Sequence, residues 1–168
     1  MDLPLLEQNV YSTELLTRWF RIIGQLRLVG ELISFLNDPQ RHVLTVEQAQ
    51  VTPLQPGYRI GEFTKSEVVV PRQEVQIVLV DELRAEEMRL LPRTEHLVVY
   101  TNTYAVSGRF HTGAETRTDD IFHVSPGPFF PASNAKVCSI SPLNMSIEGE
   151  TPVAFLSKEH LDLFHCLS

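Results

Sequence analysis

The chain has 168 residues, a formal net charge of -7, 43% hydrophobic residues and 21% charged residues. That size suits one ordinary domain or two very small ones, and the composition supports a packed core rather than a disordered tail. The acidic balance, with no run of Lys or Arg, argues against general nucleic-acid binding, which needs clustered cations, and no apolar run approaches the roughly 20 residues that span a bilayer.

The opening MDLPLLEQN has no positive n-region and only a brief apolar stretch, so a cytoplasmic protein without a signal peptide is expected. In TELLTRWFRIIGQL the apolar residues nearly fit a helical period, but Phe20, Ile22, Leu26 and Leu28 also alternate around Gly24. Strand is preferred, because the matching stretch later in the chain is too rich in Thr, Tyr and Val for a helix. ELISFLNDP predicts a short helix ended by Asn37-Asp38-Pro39, since the residue before proline avoids the α region. A strand follows near residues 44–54, then a loop, QPGYRIGEF. VVVPRQEVQIVLV reads as two strands about a tight turn at Pro71-Arg72-Gln73.

Residues 81–95, DELRAEEMRLLPRTE, alternate charge at helical spacing with Leu83, Met88, Leu90 and Leu91 on an apolar side, and Pro92 stops the pattern. This predicts a helical linker. Beyond it Tyr100, Tyr104, Val106 and Phe110 fall on alternate positions in step with Gly108, and Thr101-Asn102-Thr103 suits a hairpin turn. DDIFHVSPGPFFP opens with a turn and then carries three prolines, which impose irregular structure. A strand over residues 132–140, a loop PLNMSIEGE, and two more strands about Ser157-Lys158-Glu159 complete the chain.

The second half echoes the first. AFLSKEHLDLFHC follows VVVPRQEVQIVLV at an offset of 86 residues, and AKVCSI follows AQVTPL at the same offset. FRIIGQL and YAVSGRF match at 84, aligning Gly24 with Gly108, and Val10-Tyr11 echoes Val99-Tyr100. A mid-strand glycine marks a bulge or bend, as small barrels require. The expected fold is therefore mainly β with short helices. It comprises a first small five-stranded barrel-like module over residues 1–80, the linker over 81–95, and a second module over 96–168. A pseudo-twofold axis is expected to relate the modules, with an apolar interface shared between them.

The strand–tight turn–strand ending of each half resembles that of Sm-like small barrels, and SFLND followed by an apolar strand is similar to uncharacterised bacterial small-barrel domains. The resemblance covers about 65 residues per half and implies a tandem duplication of such a domain. Sm-like proteins present Asp and Asn loop residues and a basic, Gly-containing turn to RNA. Pro71-Arg72-Gln73 and Ser157-Lys158-Glu159 replace that turn here, so RNA binding is not carried over. NMSIEG and RLLPR match the two halves of the PilZ pattern, whose family binds cyclic di-GMP on a barrel; the competing reading is a turn and a charged linker.

No nucleophile elbow, phosphate-binding glycine loop or His-Glu-x-x-His motif is present, so no catalytic residue or cofactor is expected. His111, Asp119, Asp120 and His123 form the densest ligand-type cluster, and His160, His165 and Cys166 a second. Neither has the fixed spacing of a metal motif, and solvated loop and strand residues are the preferred reading. Cys138 and Cys166 are expected as buried, reduced thiols. Phe129 and Phe130, between prolines, are candidates for an apolar contact surface or for rings that plug a barrel end, and Trp19 is assigned to packing. Arg72 and Lys158, at matched turns, complete the candidate interaction surface. The expected role is a non-enzymatic binding or assembly module acting on a protein partner or on itself. The alternative is a sensor for a nucleotide or short RNA.

Overall fold

A computed structural model of the chain describes residues 7–83, 88 and 90–167. Ten antiparallel strands form one sheet: β1 (Gln8–Thr17), β2 (Phe20–Val29), β3 (Val43–Pro53), β4 (Phe63–Pro71), β5 (Val75–Val80), β6 (Arg93–Tyr100), β7 (Tyr104–Thr112), β8 (Phe129–Ser139), β9 (Glu148–Ser157) and β10 (Leu163–Cys166). Two short helices, α1 (Leu32–Leu36) and α2 (Ile121–Val124), follow β2 and precede β8. No helix among the described residues is long and apolar enough to cross a membrane.

The strand order is β10-β6-β7-β8-β9-β5-β1-β2-β3-β4. It splits into two runs of five with the same internal order, joined by the β5·β9 ladder. The registers of the runs coincide. Leu16 pairs with Arg21 as Tyr100 pairs with Ala105, Phe20 with Pro53 as Tyr104 with Ser139, Val43 with Pro71 as Phe129 with Ser157, and Ile77 with Leu16 as Leu163 with Tyr100. By register Val99 therefore corresponds to Leu15, not to Val10 as the Val-Tyr echo suggested.

Both runs bend at the same place. The β2·β3 ladder slips between Ile23 and Gln25, and the β7·β8 ladder between Ser107 and Arg109. Opposite the two glycines in these gaps, Gln48 and Asn134 adopt φ of 50° and 48°. A bulge with one left-handed residue adds twist and bends the strand. Gly24 permits the close approach: a Cβ there would lie 2.5 Å from Val46 Cγ1 and 2.7 Å from the Glu47 carbonyl oxygen.

The expected pair of separate barrel-like modules is not what forms: the ten strands make one open sheet. The turns at Arg72–Glu74 and Lys158–His160 are 3-10 crossovers, not hairpins, because β4 pairs with β3 and β5 with β1. A flat five-strand run would separate β4 from β5 by roughly 19 Å. The four Cα steps from Pro71 to Val75 span roughly 14 Å at most, so each run curves into a trough. Nor is the relation a twofold, which would make the contact reciprocal. β5 meets β9, while β4 and β10 stay apart at opposite ends. Of the expected linker helix, residues 84–87 and 89 lie outside the described residues, and Arg93 to Glu95 already belong to β6.

Two apolar cores fill the troughs. The first holds Leu15, Leu26, Leu44, Val78 and Val80 together with Phe129, Val153 and Phe155 from the second run. The second holds Val99, Tyr104, Phe110, Ala154 and Leu156 together with Leu16, Leu54 and Ile77 from the first. Period two explains the exchange. Along β5, Ile77 enters one core and Val78 the other; along β9, Val153 and Phe155 point one way, Ala154 and Leu156 the other. Strands buried on both faces read as unbroken apolar runs, as IVLV and VAFL do.

Candidate functional site

The residues singled out by sequence divide between the interior and one groove. Phe129 and Phe130 are buried, at the start of β8, one ring in each core. Phe130 packs against Phe110 and Phe122, with centroids 5.9 and 4.9 Å away. The proline-flanked pair plugs the molecule and presents no surface. Alternation sends neighbouring residues to opposite faces, and here both faces are core.

Arg72 and Lys158 do come together, on the rim of a shallow groove of about 760 Å³ that also includes Asn37, Gly127 and Glu159. Their heads are occupied. The Arg72 guanidinium donates to the Leu36 carbonyl at 3.2 Å and to that of Asp38, and the Lys158 ammonium donates to the Ser125 carbonyl. Each basic residue of a crossover thus holds the loop that follows or contains its own run's short helix. Partial burial holds the Lys158 ammonium below the usual lysine range. With Glu159 on the same rim, the groove offers an anion little uncommitted charge.

A cavity of about 570 Å³ lies between α1, α2 and the start of β8, lined mainly by apolar groups. On its wall His111 Nδ1 sits 3.1 Å from the Leu91 carbonyl and Nε2 2.7 Å from Ser133 Oγ. The carbonyl only accepts, so Nδ1 donates to it, and the serine hydroxyl, able to donate or accept, serves Nε2. Among the described residues, no three of His, Cys, Asp and Glu converge. The PilZ-like residues serve the fold: the Asn144 side chain donates to the Gln55 carbonyl at 3.0 Å, and Arg93 bonds Glu95 and the Thr116 carbonyl. That contact draws the Glu95 carboxyl below its usual range. Arg89 lies outside the described residues. Both cysteines are exposed rather than buried.

Open edge strands are expected from the sequence to favour assembly, but which strands form the two ends of the sheet is not read from it. β4 and β10 each lack a second neighbour among the described residues. Their inward faces are used, with Val70 in the first core and Phe164 packed on the second. Their outward faces carry exposed Val69 and Leu163. At the β1–β2 turn and the β3–β4 loop, Trp19 and Tyr58 are exposed with ring centroids 5.9 Å apart, and Arg18 lies 4.7 Å over the Trp19 ring. The signal was present: VVV and LDLF are apolar at consecutive or near-consecutive positions, as in strands covered on both faces.

No family model, curated protein or solved structure matches this chain.

Proposed function

We propose that the protein is a non-enzymatic assembly module: two copies of one small Sm-like unit, joined edge to edge, whose outer strands pair with a protein partner. One observation carries this reading, namely the pair of strand edges unpaired among the described residues and bearing exposed Val69 and Leu163. Sheets that stay monomeric blunt their edges with very short strands, edge Lys or Pro, inward charge, bulges or a covering element. β4 carries Lys65 and Pro71 and β10 has four residues, so the apolar pairing surface is confined to residues 68–70 and 163–164. Here bulges occur inside the runs, opposite Gly24 and Gly108, and not at either edge. Unpaired N–H and C=O groups flanked by apolar side chains suit strand addition.

The duplicated origin is supported by matched detail. Thr17 Oγ1 accepts from the Trp19 and Phe20 amides at 3.1 and 2.8 Å, and Thr101 Oγ1 from the Thr103 and Tyr104 amides at 3.1 and 2.9 Å. The Arg72 amide donates to the His42 carbonyl at 2.9 Å as the Lys158 amide donates to that of Pro128 at 2.8 Å.

A photo-crosslinking amino acid placed at Val69 or at Leu163 in living cells tests the reading, with Arg109 of the sheet interior as the control site. Discrete covalent adducts from both edge positions, and none from the control, are expected. If both edges yield nothing above the control, the assembly role is wrong.

A further inference from the structure

We infer that the partner is a second copy of this chain, and that β10 of one molecule adds to β4 of the next in the register the molecule already uses at its own seam. This rests on the assembly reading and names its partner.

The seam is the template. β9 is the fourth strand of its run and β5 the fifth of the other, and they pair antiparallel as Ile77↔Leu156, Val78↔Phe155, Leu79↔Ala154 and Val80↔Val153. The two strands left without a second neighbour among the described residues are the other fourth and fifth, β4 and β10. Applying the 86-residue offset gives the pairs Leu163↔Val70, Phe164↔Val69, His165↔Val68 and Cys166↔Glu67. The direction is also right. β4 runs antiparallel to β3 and β10 antiparallel to β6, so the order along the sheet leaves them complementary, as β9 and β5 are.

Side chains at the outer edges keep the character the seam needs. Ile77 and Phe155 are 0% exposed in the seam, whereas their counterparts Leu163 and Val69 are each 55% exposed. Leu54 is 0% exposed because the 140–147 loop covers it: the Asn144 amide reaches the Leu54 carbonyl and its side chain the Gln55 carbonyl. The counterpart Ile140 is 50% exposed, with no equivalent loop over it. The loop that would cover it in the next molecule is the one that carries Tyr58.

A polar contact converts into a charged one. In the seam, Gln76 Nε2 donates to Asn102 Oδ1 at 2.9 Å. Their counterparts under the same offsets are Asp162 and Arg18, an ion pair available only between molecules. A contact between unlike edges is heterologous, so successive copies close into a ring or run on as a filament.

The register is tested by disulfide formation in the full chain. In a Cys138→Ser background, Cys166 is the single native thiol. Glu67→Cys sets a second thiol opposite it, at a Cα separation of roughly 4.5–5.5 Å that a disulfide accepts. Ser66→Cys, one residue away, points to the other face. Under mild oxidation E67C is expected to give covalent dimers and higher multiples, and S66C few. Independently, R18D and D162R should each weaken association roughly fivefold, as expected for an ion pair, and the double variant should restore it. Sedimentation at several concentrations reads the change. No excess of crosslinking in E67C over S66C, or no rescue by the double charge swap, overturns the inference. Edge photo-adducts with a different protein would then leave the assembly reading intact, and no adducts at all would remove both.

Discussion

The Tyr104 hydroxyl donates to the Thr17 carbonyl at 2.7 Å, across the seam between the two runs of strands. Tyr104 is fully buried in the second core, while Thr17 ends β1 of the first run. The bond satisfies two polar groups that burial would otherwise strand. Tyr104→Phe keeps the ring and leaves the carbonyl unpaired, so a loss of about 1–2 kcal/mol is expected in urea unfolding. The pH dependence has a definite sign. Burial pushes the Tyr104 hydroxyl far above its ordinary value of 10.0. The folded state therefore holds the proton more tightly than the unfolded chain, and this contribution is complete below pH 10 and declines as pH rises beyond it. Wild type should lose its advantage over Y104F between pH 10 and 11.5, by about 1 kcal/mol per pH unit. A constant difference across that range would refute the burial of a neutral phenol.

The two bulge glycines are not equally confined. A Cβ at Gly24 would lie 2.5 Å from Val46 Cγ1 and 2.7 Å from a backbone oxygen, whereas one at Gly108 would lie 3.1 Å from the Ser133 carbonyl oxygen and 3.3 Å from Ala135 Cα. Backbone cannot step aside as a side-chain tip can. Gly24→Ala is expected to cost about 3 kcal/mol and Gly108→Ala about 1 kcal/mol, after the small gain from stiffening the unfolded chain. Chemical denaturation of both variants under one condition gives the order, and a reversed order would contradict the geometry.

Much of the local structure was legible. Alternation around Gly24 and Gly108 marked β2 and β7, Asn37-Asp38-Pro39 marked the end of α1, and Thr101 to Thr103 marked the β6–β7 turn. The global pairing was not. Pro71-Arg72-Gln73 carries turn chemistry, but such signals do not distinguish a reversal from a 3-10 crossover that keeps the strand direction. Reading a hairpin there paired β4 with β5 and hid both free edges. The Phe129-Phe130 pair looked exposed because the prolines before it suggest a surface loop. That these rings enter two different cores follows only once β8 lies in the middle of a run. The exposure of Cys138 and Cys166 likewise depends on which face of β8 and β10 stays uncovered.

Gln48 holds φ at 50°, in the left-handed region, on the surface of β3 opposite Gly24. Its counterpart is Asn134, at φ 48°. Asn tolerates this conformation better than a long unbranched side chain, because its short amide bonds locally. Gln48→Asn should therefore stabilise the protein by about 0.5 kcal/mol, and Asn134→Gln should destabilise it by a similar amount. Thermal melting resolves changes of this size when the two variants are compared directly. Stabilisation by both substitutions would show that the bulges do not share one backbone conformation.

Asn37 clasps the two halves from the end of α1. Its Oδ1 accepts from the Phe129 amide at 2.8 Å and its Nδ2 donates to the Phe129 carbonyl at 3.1 Å, so one side chain serves both polar groups of a buried residue's backbone. Gly127, at φ 80°, presses against the same side chain, with room for no Cβ: one would stand 2.5 Å from Asn37 Cγ. Asn37→Ala strands both groups and should cost about 2–3 kcal/mol. Asn37→Asp keeps the shape and the acceptor but loses the donor and sets a carboxylate against the Phe129 carbonyl. At pH 7 it should fall between wild type and alanine. The folded setting raises the carboxyl pKa above the unfolded value, so stability should recover toward wild type as pH drops from 7 toward about 4 and the acid gains a proton to donate. Urea unfolding of the three proteins at pH 4 and pH 7 separates the two bonds. If aspartate were as stable as asparagine at pH 7, the donor arm of the clasp would contribute nothing, and only the acceptor bond to the Phe129 amide would add to the apolar packing of Leu32 and Leu36 with Phe129.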